Sequence, residues 1–271
     1  MKSGWSLTVL LAAVLLFSAA PVLAQDFYVI AGGGPPVGTK ITTLPYEIKN
    51  PGFYYLTGNL SYSGAGNGIT VASDDVTLDL MGFRVEGPGD NGNNYGIYLY
   101  DGTNGHKNVE IRNGTISGWC FGLFDKGVGL RNRALNLRVE NCLKGIDFEA
   151  SYSGSLIKGC TVESANTGIL IKGGVATINA VTNCCYGIDG YGTISNNSVS
   201  NCDVCGIYCD DASSIIGNTV IATTVNPSGP TGIQIVTNNP VLVTQNTVSV
   251  PSGCTPFSGG SGTINVNNAG F

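Results

Sequence analysis

The chain has 271 residues and a formal net charge of −5, with an isoelectric point near 4.7. That balance excludes the basic surface that nucleic acid or an anionic membrane attracts. Only 11% of the residues are charged and 40 are glycine, a composition suited to tight turns and buried strands rather than helices.

The chain opens with Lys2, an apolar stretch from Leu7 to Phe17, and the small-residue pattern Val22-Leu23-Ala24 before Gln25. This predicts a signal peptide over 1–24 and a secreted, extracellular, cell-surface or periplasmic location. The apolar run is shorter than the roughly 20 residues that span a bilayer, so no membrane span is expected. Residues 25–40 read as an N-terminal linker. Residues 41–66, with Leu44-Pro45-Tyr46 and Phe53-Tyr54-Tyr55-Leu56, read as a cap or first coil.

From residue 67 a glycine followed by an apolar residue recurs, at Gly68-Ile69, Gly96-Ile97, Gly122-Leu123, Gly145-Ile146, Gly168-Ile169, Gly187-Ile188, Gly206-Ile207 and Gly232-Ile233. Subtracting glycine numbers gives intervals of 28, 26, 23, 23, 19, 19 and 26 residues. Recurrence on this scale marks a solenoid, in which one coil cannot bury its apolar face alone. After each glycine the side chains alternate. Ile97 and Leu99 share one face and Tyr98 and Tyr100 the other; Ile146 and Phe148 oppose Asp147 and Glu149; Ile207 and Cys209 oppose Tyr208 and Asp210. Parity weakens at Asp125 and Gly190, which both point inward on this count.

A second apolar position precedes the glycine by six or seven residues, at Ile116, Val139, Val162, Val181 and Val199. Two residues before Val162, Val181, Val199, Val220 and Val248 come Cys160, Asn179, Asn197, Asn218 and Asn246. Asn179, Asn197, Asn218 and Asn246 are expected to bond coil to coil through their amides as a structural ladder. Each repeat thus holds three short strands. The fold expected is an all-β, right-handed parallel β-helix of about eight coils over 67–250, roughly 40 Å long at about 4.8 Å per coil. Residues 251–271 read as a C-terminal cap or flexible tail, with Ile264-Asn265-Val266 able to add an edge strand.

Nine cysteines is an odd number, so at least one stays outside any intramolecular disulfide. The spacing Cys202-x-x-Cys205-x-x-x-Cys209 lacks a nearby fourth ligand for zinc, the single histidine being His106, and no metal site is assigned. Cys120 with Cys142, and Cys184 or Cys185 with Cys202, occupy similar positions in adjacent coils. One or two disulfides are expected among them; Cys209 reads equally well as a buried thiol.

The Gly-Ile strands, the asparagine series and the opening Ile69-Thr70-Val71-Ala72-Ser73-Asp74-Asp75-Val76-Thr77-Leu78-Asp79-Leu80-Met81-Gly82-Phe83 resemble the right-handed parallel β-helix superfamily of pectate lyases and polygalacturonases. The likeness is nearest to exported bacterial proteins with short β-helix repeats, including a group linked to carbohydrate binding and sugar hydrolysis. It covers about residues 41–250 and specifies the fold more than the activity. It implies that the strand after each glycine belongs to the sheet that carries the binding groove. The outward residues there are Tyr98, Tyr100, Phe124, Lys126, Asp147, Glu149, Lys172, Asp189, Tyr191, Tyr208 and Asp210. Aromatic rings beside carboxylates suit a sugar chain. Lys126, Glu149 and Lys172 also fit a charge ladder that stabilises the sheet.

Tyr98, Tyr100, Phe124, Lys126, Lys172, Tyr191 and Tyr208 are the substrate-binding candidates, and Asp147, Asp189 and Asp210 the catalytic ones. Asp189 and Asp210 fall on adjacent coils two residues out of step, a diagonal of about 8 Å, compatible with the carboxylate separation of an inverting glycosidase. The Gly-His-Gly and Arg-Ile-Lys segments of polygalacturonases are missing, and Gly105-His106-Lys107 is the only histidine context. Tyr186-Gly187-Ile188-Asp189 resembles a uronate epimerase segment but continues as Gly190-Tyr191. A calcium-dependent lyase would draw on Asp210, Asp211 and Lys172, so calcium is expected only with lyase chemistry and otherwise no cofactor. The expectation is a non-catalytic polysaccharide-binding or surface and matrix module, its partner a polysaccharide or cell-surface glycan. The alternative is a lyase, glycoside hydrolase or epimerase acting on an acidic glycan. The sequence leaves the oligomeric state open.

Overall fold

The computed structural model describes residues 37–270 apart from 90, 91, 101, 104, 128, 150–153 and 222–229. The signal peptide and most of the linker expected at the N-terminus lie outside the described residues. Every strand pairing is parallel, and no helix occurs among the described residues. The chain is a right-handed parallel β-helix of about nine turns.

Three sheets run the length of the stack. Sheet I contains ten strands: Tyr46–Ile48, Ile69–Val71, Tyr95–Leu99, Phe121–Asp125, 144–148, 167–172, 186–191, 205–209, Thr231–Ile235 and Thr255–Ser258. Sheet II begins at Thr39–Ile41 and ends at Thr263–Val266. Sheet III begins at Leu60–Ser61 and ends at Ala269–Gly270. The strand Arg133–Phe148 shows the path of one coil: 133–135 pair in sheet II, 138–140 in sheet III and 144–148 in sheet I. The stack therefore extends beyond the eight Gly-Ile strands at both ends, and residues 255–270 add a strand to each sheet.

The core is built of columns rather than layers. In sheet I, Ile97, Leu123, Ile146, Ile169, Ile188, Ile207, Ile233 and Phe257 stack in register. In sheet III, Val85, Ile116, Val139, Val162, Val181, Val199, Val220 and Val248 do the same. Nearly all are buried from solvent. Asp125 does point inward, where the Asn132 amide donates to its carboxylate at 2.8 Å.

The turn from sheet II to sheet III is repeated with little variation. Its corner residues Asn113, Asn136 and Asn196 take φ of 56, 53 and 55°, a left-handed conformation that asparagine tolerates. Ile178 takes the same corner at φ 58°, a β-branched residue strained there by about 1–2 kcal/mol. Next comes the ladder. Asn179 Nδ2 donates to Asn197 Oδ1 at 3.0 Å, Asn197 to Asn218 at 3.0 Å, Asn218 to Asn246 at 2.9 Å, and Asn246 to Asn268 at 2.9 Å. The series runs one residue further than the four asparagines named from the sequence.

None of the nine cysteines is joined in a disulfide, which overturns the expectation of one or two. Trp119, not Cys120, occupies the rung position of Cys142: the Leu143 amide bonds the Trp119 carbonyl and the Lys144 amide that of Cys120. Cys142 stacks on Ala165, and Ala165 on Cys184. Cys184 and Cys202 do fall on neighbouring coils. Residues stacked in register keep their Cβ atoms near the strand spacing of about 4.8 Å, wider than the roughly 3.5–4.5 Å a disulfide needs. Each of these two thiols instead turns to the carbonyl two residues before it, Cys184 to Thr182 at 3.3 Å and Cys202 to Ser200 at 3.7 Å. Burial pushes the Cys184 and Cys160 thiols up to about 11 and Cys142 and Cys205 up to about 12. They remain protonated packing groups.

Candidate functional site

The outer side of sheet I carries one main column, Thr70, Tyr98, Phe124, Asp147, Leu170, Asp189, Tyr208, Gln234 and Ser258. Beside it runs a second, which strict alternation from the glycine did not reveal: Tyr95, Phe121, Lys144, Thr167 and Tyr186. These residues immediately precede the recurrent glycine. The chain turns its corner there, so residues three apart, such as Phe121 and Phe124, come to one side. The signal was present as an aromatic or charged residue directly before Gly96, Gly122, Gly145 and Gly187.

The N-terminal half of this face is an aromatic ladder. Tyr95 stacks on Tyr98 with centroids 4.4 Å apart, Phe121 on Phe124 at 4.6 Å, and Tyr98 on Phe124 at 5.8 Å. The rings turn their faces to one another, and Phe124 is buried by its neighbours. Burial, then the neighbouring phenols, push the Tyr98 hydroxyl up to about 12. Lys126 lies over the Tyr100 ring at 5.6 Å and Lys144 over Phe121 at 5.2 Å. Lys126, Glu149 and Lys172 follow in line on successive rungs, and no salt bridge joins them among the described residues.

Asp147 lies on the outer side yet is 0% exposed, held between Phe124 and Leu170. Its Oδ2 pairs with the Lys144 ammonium at 2.9 Å, while Oδ1 is buried without a hydrogen bond. Burial raises its pKa to about 6 against the pull of Lys144. Burial works most strongly against the Lys144 charge, but the bond to Asp147 and the attraction of Asp147, Glu149 and Asp189 together outweigh it and that pKa ends raised. A native carboxyl with a raised pKa adds stability that is fully present below about pH 4 and is lost as pH rises through about 6. The chain is therefore expected to lose on the order of 1–3 kcal/mol between about pH 4 and 7 relative to an Asp147→Asn variant. Urea midpoints of both proteins across that range measure it, and parallel profiles would refute it.

The other two aspartates sit differently. Asp189 is half-buried and shares its column with Asp147, two rungs apart with Leu170 between them. Asp210 is exposed, two residues beyond Tyr208 on the rung next to Asp189. Burial, then the Asp210 charge, raise the Asp189 pKa; Lys172 and Lys144 oppose the rise. Tyr186 and Tyr208 meet edge to face at 6.0 Å. Tyr191 stacks beside Lys172 on the neighbouring rung. The structure thus brings Lys172, Asp189, Tyr191, Tyr208 and Asp210 onto one patch with Tyr186. It leaves Tyr98, Tyr100, Phe124 and Lys126 in the separate aromatic ladder and seals Asp147 beneath Lys144.

No group of three histidine, cysteine, aspartate or glutamate side chains is placed to hold a metal among the described residues. A small pocket lies elsewhere, at the C-terminal end, lined by Ile233, Ile235, Val243 and Phe257 among others. No helix of the described residues is long and apolar enough to cross a membrane.

No protein-family model matches the chain, and no curated protein sequence does. Among solved structures it is similar to the Dettilon tailspike protein, at 14% identity and a TM-score of 0.48, over 86% of this chain and 61% of that one. It is also similar to the enzymatically active domain of bacteriophage CBA120 tailspike protein 2, at 15% identity and a TM-score of 0.49, over 86% of this chain and 42% of that one. The chain spans less than two thirds of the length of either structure.

Proposed function

We propose that this protein is an exported, non-catalytic glycan-binding module that acts at a surface or in a matrix, with its contact patch at 186–191 and 205–210. The observation that carries the reading is the state of the polar groups there. Asp189, Asp210, Tyr186 and Tyr208 share one face, and none of their side chains makes a hydrogen bond or ion pair to another described residue. Carboxylates and phenols held on a rigid sheet beside aromatic rings match the alternating hydroxyls and apolar faces of a sugar chain. The leader pattern of Lys2, Leu7 to Phe17 and Val22-Leu23-Ala24 supports export.

Affinity electrophoresis through gels cast with neutral glucan, pectate, alginate, chondroitin or chitosan tests this. Retardation by at least one glycan is expected, without new reducing ends or unsaturated products, with or without added calcium. Indifference to every glycan would overturn the module. A second reading has one observation in its favour. Asp189 is partly buried with a raised pKa and Asp210 is exposed, the unequal environments of an acid and base pair. Turnover that vanishes in Asp189→Asn while binding persists would establish hydrolysis instead.

A further inference from the structure

The aromatic ladder already contains an ammonium site, filled by the protein itself. Lys144 lies 5.2 Å from the Phe121 centroid and 2.9 Å from Asp147 Oδ2, so one cation is held between a ring and a carboxylate. The same two positions recur down the stack. Register carries Lys144 through Thr167 to Tyr186, and Asp147 through Leu170 to Asp189. Two rungs on, the carboxylate is retained and the lysine has become tyrosine.

The second location has more to offer a cation than the first. Tyr186 and Tyr208 flank Asp189, and Asp210 stands diagonally across. No lysine or arginine lies over either ring, and neither aspartate is ion-paired, among the described residues. Lys172 and Lys144 act on Asp189 only through longer-range attraction. Burial and the neighbouring charge of Asp210 both disfavour ionised Asp189, and a bound cation relieves both. Rings with two carboxylates favour an organic ammonium, which gains from the π-faces, over calcium, which wants more oxygens.

We propose that this patch recognises the protonated amines of an amino-sugar polymer, Asp189 and Asp210 taking the ammonium and Tyr186 and Tyr208 flanking it. The proposal rests on the glycan-binding reading above and narrows it to one substrate class. A neutral sugar could satisfy the carboxylates as hydrogen-bond acceptors but would leave their mutual repulsion in place.

Isothermal titration with glucosamine trimer and with N-acetylglucosamine trimer, at mildly acidic pH and about 0.15 M salt, separates the alternatives. The free-amine trimer is expected to bind at least about tenfold more tightly than the acetylated one, and Asp189→Asn to remove about tenfold of that affinity. Glu163→Gln, on the outer side of sheet III, is expected to change nothing. Should Asp189→Asn disturb the fold by circular dichroism, Asp210→Asn at its exposed position replaces it, with the same loss expected. Equal binding of the two trimers would overturn the amine proposal while leaving the glycan reading intact. An equal loss in Glu163→Gln would also overturn it, as attraction of a polycation to an acidic protein. Binding of no glycan at all would remove both.

Discussion

Gly187→Ala is expected to cost about 3 kcal/mol or more and to lower the melting temperature by roughly 6–12 °C. The recurrent glycines are held by close approach. A Cβ added to Gly187 would lie 2.5 Å from the Gly206 carbonyl oxygen and 3.0 Å from the Cys202 sulfur. The same overlap recurs along the stack, the Gly96 position meeting the Gly122 carbonyl at 2.6 Å and the Gly168 position meeting that of Gly187 at 2.7 Å. A carbonyl fixed in a sheet cannot rotate away as a side chain can, so the strain has to move a whole coil. Gly58 provides the control, because an added Cβ there meets nothing within 4 Å. Gly58→Ala is expected to leave the melting temperature unchanged or slightly raised. Thermal unfolding of the two variants side by side checks this, and equal behaviour would sink the account.

That contact also explains which parts of the fold were legible in the sequence. A glycine stands at this close approach in each coil from Gly68 to Gly232, so the period could be read over that span, while Pro45 holds the equivalent position in the first coil. Pro256 holds the glycine position in the last described coil, with Phe257 in place of isoleucine, and the pattern therefore stops being visible one coil early. Asn268 escaped notice for a related reason. The valine that follows each ladder asparagine by two residues is Gly270 at this rung. Periodicity reports the repeated contacts of the inner coils and falls silent in the two end coils, where Pro45 and Pro256 replace the glycine.

The candidate site was legible in a different measure. Alternation placed Asp147, Asp189 and Tyr208 in one outward column, where they stand. It could not show that Lys144, Phe124 and Leu170 would close over Asp147, because cover depends on neighbouring columns rather than on parity along one strand. It also assumed a straight strand through each glycine. The corner brings Tyr95, Phe121, Lys144 and Tyr186 to the outer face, and with them the ring and carboxylate geometry on which the amine proposal stands. Cysteine spacing identified coils correctly but carried no information on Cβ separation, which decides whether a disulfide can close.

Asn197→Ala is the second large effect expected, a loss on the order of 3–5 kcal/mol. The side chain of Asn197 holds four bonds in a buried column. Its Oδ1 accepts from the Asn179 backbone amide at 2.9 Å and from Asn179 Nδ2 at 3.0 Å. Its Nδ2 donates to the Ala176 carbonyl at 2.9 Å and to Asn218 Oδ1 at 3.0 Å. Alanine leaves the Asn179 amide and the Ala176 carbonyl without these partners, and a buried group left unmet costs about 1–3 kcal/mol. Stability in a solenoid is close to a sum of coil and interface terms, so the position of the break matters as well as its size. In the middle of the ladder it interrupts the coupling of coils on both sides, and unfolding is expected to broaden or split into two steps. Asn268→Ala lies at the end of the ladder, partly exposed, and is expected to cost less and to keep one transition. Urea titrations followed by circular dichroism distinguish these outcomes, and equal costs at the two positions would show that the ladder acts bond by bond rather than as a column.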